Sequence, residues 1–179
     1  MSPEHQSRKL ALLATIALAA AGCGGSEDPP PPRSALSSPA RLVQQSNEVL
    51  GGGKEAFEQQ IEALSGYPIV VNKWASWCGP CRFEFPFFAR LAKRHGRTIA
   101  FLGVNSRDSR EGARDFLEEH PVPYPSFYDR KGEIARTFRG DRAFPVTAFY
   151  NSDGELVFTK QGGYASEEAV AKDIRQYAR

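Results

Sequence analysis

Residues 69–82 read Ile-Val-Val-Asn-Lys-Trp-Ala-Ser-Trp-Cys-Gly-Pro-Cys-Arg, and the fold turns on that stretch. Ile69 to Trp74 is short and β-branched, bounded by Pro68 before and Cys78-Gly79 after, as in a strand buried on both faces of a parallel sheet. From about Gly79 the period changes. Phe83, Phe87, Phe88, Leu91 and Ala92 fall on one side of a helix running to His95, with basic residues in its last turn and Gly96 as its stop. A buried strand that feeds directly into a helix brings Cys78 and Cys81 to the helix N-terminus.

That placement decides their chemistry. A Cys-x-x-Cys at a strand-to-helix junction reads as a redox pair. The unpaired backbone N–H groups and the dipole of a helix N-terminus favour an anion, so Cys78 is expected to ionise well below the ordinary thiol value of about 8.5 and to be the attacking thiolate. Cys81 lies one turn further along, shielded until a mixed disulfide forms, and is expected to resolve it. Other uses of the pair fit less well. A zinc site needs about four ligands, and His5, His95 and His120 supply no second ligand pair with recognisable spacing. Haem attachment would put His where Arg82 stands. A structural disulfide across two intervening residues restrains the unfolded chain little. No metal and no cofactor beyond the Cys78-Cys81 disulfide is expected.

Working outward, Phe57, Ile61 and Leu64 recur at helical spacing and predict a helix over Lys54 to Ser65. Ile99 to Val104 is a second buried strand, and Asp108 or Ser109 caps a helix ending near Glu119, before Pro121. Pro121 to Ala143 reads as loop-rich, with a turn at Asp129-Gly132 and a short helix near Ile134 to Phe138. Val146 to Tyr150 and Leu156 to Lys160 form a hairpin across Asn151-Gly154, and Ser166 caps a final helix. A first strand is expected near Arg41 to Gln45.

The 179 residues suit one domain plus tails. Lys and Arg total 23 against 21 Asp and Glu, a formal charge of +2, too balanced for a nucleic-acid surface. Apolar residues make up 41%, and the 12 Phe supply bulk for a core. Three cysteines are too few for a disulfide scaffold.

The N-terminus reads as an address. Arg8 and Lys9 precede an uncharged apolar stretch from Leu10 to Ala21, of the length of a secretory signal core and too short to span a bilayer. Ala20-Ala21-Gly22-Cys23 resembles a bacterial lipobox, with Ala20 where Leu is usual; the resemblance implies cleavage after residue 22 and acylation of Cys23. Ordinary secretion with Cys23 an incidental thiol is the alternative. Gly24 to Pro39 is polar and carries four prolines, Pro29 to Pro32, which favour an extended polyproline stalk. The expected organisation is a signal at 1–22, a lipid-anchored tether at 23–40 and one domain at 41–179.

Trp74-Ala75-Ser76-Trp77-Cys78-Gly79-Pro80-Cys81-Arg82, followed by Glu84 and Pro86, resembles the thioredoxin superfamily. Within it the chain is most similar to the membrane-tethered extracytoplasmic branch that includes TlpA, ResA and the cytochrome c maturation proteins. The long connection from Asn105 to Ala143 and the position of Glu84 carry that finer match. The implied fold is three-layer α/β/α around a central mixed sheet, with an insert between the strand-helix unit and the hairpin. Pro145 matches the superfamily's cis-proline facing the cysteines. The resemblance implies that Phe144 and Pro145, with Trp77, Gly79 and Pro80, meet a substrate chain that pairs as an added strand.

Asn72 stands where ordinary thioredoxins bury an acid. Asn cannot take a proton; Glu84 resembles the acid that ResA-like proteins place near the cysteines, and the resemblance implies that it assists deprotonation of Cys81, with a raised pKa as the requirement. Lys73 departs from the usual aromatic, and its stem is expected to snorkel to water. The resemblance implies an extracytoplasmic membrane-anchored oxidoreductase reducing disulfides of exported proteins such as apocytochrome c, supplied by a membrane thiol donor of CcdA or DsbD type. Three rivals stand beside it: a disulfide-forming oxidase, a peroxiredoxin-type peroxidase, which would need a Pro-x-x-x-Thr-x-x-Cys setting, and a non-catalytic module of the same fold.

Overall fold

A computed structural model describes residues 38–179. The expected signal segment, Cys23 and the proline run lie outside the described residues. The order of elements is α1 (Pro39–Gln44), β1 (Val49–Leu50), α2 (Gly53–Ala63), β2 (Ile69–Trp74), α3 (Gly79–His95), β3 (Ala100–Ser106), α4 (Arg110–Glu119), β4 (Ser126–Asp129), α5 (Glu133–Thr137), β5 (Val146–Tyr150), β6 (Leu156–Gln161) and α6 (Glu167–Tyr177). The six strands form one sheet in the order β1-β4-β3-β2-β5-β6. β1, β4, β3 and β2 run parallel, whereas β5 is antiparallel to β2 and β6 is antiparallel to β5. The sheet is mixed, as expected.

The pleat sorts the core into two layers. Val70 and Trp74 of β2 face one side with Phe85 and Phe88 of α3, Phe116 of α4 and Ile174 of α6. Ile69 and Val71 face the other side with Phe57 and Ile61 of α2 and Ile134 of α5. Every residue of β2 is buried, because helices cover both faces. Trp74 stacks on Phe116 with ring centroids 4.9 Å apart. Its indole donates to Ser126 Oγ at 3.0 Å. Gly103 of β3 makes room for that bond: a Cβ there would fall 2.0 Å from Ser126 Oγ.

Two expectations are corrected. The strand placed near Arg41 to Gln45 is helix α1, initiated by Pro39 at its first turn, and the strand comes later, at Val49–Leu50. Pro39, the first residue of α1, is buried. The stretch Pro121 to Ala143, read as loop-rich, contains strand β4, paired on both sides. The last residue of β4 organises the helix after it. Asp129 accepts from Ile134 N and Ala135 N at 3.0 Å each, and from Ser106 Oγ at 3.0 Å. The carboxylate thus caps α5 and ties it to β3.

Replacing that carboxylate leaves buried donors unmet. Asp129→Ala is expected to lower the unfolding free energy by about 2 to 3 kcal/mol in urea titrations, and Asp129→Asn by about half as much.

Candidate active site

Cys78 is the N-cap of α3. Its sulfur accepts the Cys81 backbone N–H at 3.2 Å, a contact that favours negative charge on Sγ. Cys78 and Cys81 are joined in a disulfide with their Cα atoms 5.3 Å apart. Access is uneven: Cys81 is 0% exposed and Cys78 4%, while the adjoining Trp77 is 59% exposed. What little of the bridge is exposed is thus on the Cys78 side.

The loop before the cysteines is held by Asp108, weighed in the sequence only as a helix cap. Ser109 is the cap of α4. The Asp108 carboxylate accepts from Ser76 N at 2.6 Å, Ser76 Oγ at 2.8 Å and Asn105 Nδ2 at 2.8 Å. Trp77 Nε1 donates to the Arg107 carbonyl at 3.1 Å, and its ring lies 4.7 Å from that of Phe144. The Phe144-Pro145 peptide is cis. Trp77, Phe144 and Pro145 thus come together from loops far apart in sequence.

Glu84 is fully buried on α3. Oε1 accepts from Asn72 Nδ2 at 2.8 Å and Oε2 from Tyr164 N at 2.9 Å. A Cβ added at Gly163 would lie 3.6 Å from Glu84 Oε2 and 3.5 Å from Pro145 Cγ, so the carboxyl reaches the loop that faces Pro145. Burial pushes its pKa up to about 7, against the hydrogen bonds from Tyr164 and Asn72 and the charge of Lys160, which pull it down. Asn72 suits either protonation state. Its Oδ1 has no partner among the described residues, and a half-turn of the amide would present that oxygen to a protonated Glu84.

Lys73 overturns its expectation. The side chain does not snorkel to water but is fully buried, its Nζ donating to the carbonyls of Gly140 and Ala143. Those acceptors lie about seventy residues along the chain, so no local pattern announced them. Among the described residues, no cluster of three or more His, Cys, Asp or Glu is arranged to hold a metal, and no helix is long and apolar enough to cross a membrane.

The family model described as Redoxin matches residues 49–174. The chain belongs to the Redoxin family. It is 42% identical over 72 residues to the thiol:disulfide interchange protein HelX of Rhodobacter capsulatus, covering 40% of this chain and 39% of that protein. It is 30% identical over 95 residues to the thiol-disulfide oxidoreductase ResA of Oceanobacillus iheyensis, covering 52% and 47%. The matches span about half, or less, of the length of HelX, ResA and the other first curated relatives. Among solved structures it resembles MTB DsbF in mixed oxidised and reduced forms, with TM-score 0.59 and 27% identity over 64% of this chain and 84% of that one. It also resembles StoA from Bacillus subtilis, with TM-score 0.53 and 25% identity over 60% and 82%. The fold is thioredoxin-like.

The raised pKa of Glu84 makes stability depend on pH. A carboxyl at about 7 in the folded chain and 4.5 when free favours folding with its proton on. That contribution is complete below about pH 4.5 and is lost as pH rises through about 7. Between pH 5 and 8 the oxidised protein is expected to lose roughly 2 to 3 kcal/mol more than Glu84→Gln, read from urea unfolding of both at each pH.

Proposed function

We propose that the chain is a thiol-disulfide oxidoreductase working through Cys78 and Cys81. The observation that carries this reading is the Cys78–Cys81 bridge at the start of α3, with the Cys81 N–H aimed at Cys78 Sγ. In the reduced protein the Cys78 thiolate attacks one sulfur of a substrate disulfide, forming a mixed disulfide and expelling the other sulfur as a thiolate. Cys81, once deprotonated, attacks Cys78 Sγ. The substrate leaves as a dithiol, and the Cys78–Cys81 disulfide takes its place. Two electrons have moved to the substrate, and an external dithiol must return them.

Glu84 is the proposed base for the second step. At a pKa of about 7 it is divided between its two forms near neutral pH, where a proton acceptor is most effective, and it lies one turn beyond Cys81 on the same helix. Trp77, Gly79, Pro80, Phe144 and Pro145 form the proposed wall for the substrate chain, which pairs alongside the loop before β5. We place the protein outside the cytoplasm, anchored through Cys23. Its proposed substrates are disulfides of exported proteins such as apocytochrome c, and its proposed electron source is a membrane thiol protein of CcdA or DsbD type. The names of HelX, DsbE and ResA relatives support the exchange chemistry, and the Gly79-Pro80 dipeptide supports the reducing direction.

Residues 38–179, equilibrated with defined dithiol buffers, test the direction. A potential near or below about −270 mV is expected of a reductant; one toward about −120 mV marks an oxidase and overturns the direction. The roles of the cysteines separate in a trapping experiment. Cys81→Ser is expected to accumulate a mixed disulfide with insulin and Cys78→Ser to accumulate none, the reverse result reversing the assignment.

A further inference from the structure

Lys73 is buried on β2 with no part in the exchange steps above. A buried ammonium is costly unless its donors are met. Here the acceptors all lie in one short stretch: Nζ donates to the carbonyls of Gly140 and Ala143, the latter at 2.6 Å. It also sits 3.5 Å from the centroid of the Phe144 ring. That stretch ends at Pro145, and the Phe144 ring is the one that meets Trp77. A single cation therefore links the rigid central strand to the loop bordering the disulfide. Asn72 and Trp74, on either side of Lys73 in β2, point to the α3 side of the sheet and meet Glu84 and Phe85. Lys73 reaches the opposite side.

We propose that Lys73 is a positioning residue for substrate: its ammonium anchors Gly140 to Phe144 on β2 and thereby holds the Phe144–Trp77 rim on which a polypeptide disulfide docks. This rests on the oxidoreductase reading. It predicts a division between substrates. A protein disulfide needs the rim, whereas a small disulfide needs only access to Cys78. The charged groups facing Lys73 are Arg107, which lowers its pKa, and Asp129 and Asp141, which raise it; burial has the largest effect, and the result is about 8. Above that pH the amine keeps hydrogens to donate but loses the charge that strengthens both carbonyl bonds and the contact with the ring.

The test compares Lys73→Met, which keeps length and bulk, and Lys73→Arg, which keeps charge and donors. KM and kcat are measured with insulin, and the rate of the reduced protein with hydroxyethyl disulfide. Lys73→Met is expected to raise the insulin KM about tenfold while kcat and the small-disulfide rate stay within about twofold, with Lys73→Arg recovering most of the loss. In the unsubstituted protein, the insulin KM is expected to rise about threefold as pH passes through 8, after normalisation to the small-disulfide rate at each pH. Lys73→Met should abolish that rise. An unchanged insulin KM in Lys73→Met, or equal losses on both disulfides, overturns the proposal. If Lys73→Met does not fold, the pH curve of the unsubstituted protein decides, a flat curve overturning the proposal. Should the unsubstituted protein turn over neither disulfide, the oxidoreductase reading itself has failed.

Discussion

The structure hangs on one constraint: β2 must be buried on both faces and still carry polar side chains in its second half. Its neighbours β3 and β5 take up its backbone hydrogen bonds, and helices cover it above and below. Within that enclosure Asn72 and Lys73 need partners, because an unmet buried amide or ammonium costs more than any local gain. The pleat sends them to opposite sides. Asn72 meets Glu84 of α3, and Lys73 meets the loop before Pro145. The helix that carries the cysteines and the loop before Pro145 are thus joined to the same strand by buried polar contacts.

The cysteine pair gains its asymmetry from the same arrangement. The strand ends at Trp74, the loop is clamped by Asp108, and α3 begins at Cys78, so the first sulfur receives a helix N–H while the second is enclosed beneath it. A covered second thiol cannot lose its proton to bulk water readily. Glu84, buried and hydrogen-bonded to Tyr164 N, gives the interior a group able to change protonation near neutral pH.

Much of this was legible where the signal was local. The apolar run of β2, the phenylalanines of α3 and the change of period between them placed Cys78 and Cys81 correctly at a strand-helix junction. The hairpin, the cap at Ser166 and a cap at either Asp108 or Ser109 came from turn and capping chemistry. The features that were not legible depended on distant partners. β4 is only four residues long and comes after Pro121, Pro123 and Pro125, residues that ordinarily mark loops; it is a strand because β3 and β1 offer it a ladder. Lys73 reads as a surface residue until the carbonyls of Gly140 and Ala143 are brought to it.

The two edges of the sheet differ from its middle in what they offer to other chains. An open sheet edge offers unpaired N–H and C=O groups to any extended polypeptide. Here one edge is β1, only two residues long. The other is β6, which carries Lys160 and whose pairing with β5 is irregular at Phe149 and Tyr150. Short, charged and irregular edges resist indiscriminate strand addition. The sheet is thereby guarded against adding extended chains, its own copies included, along its borders.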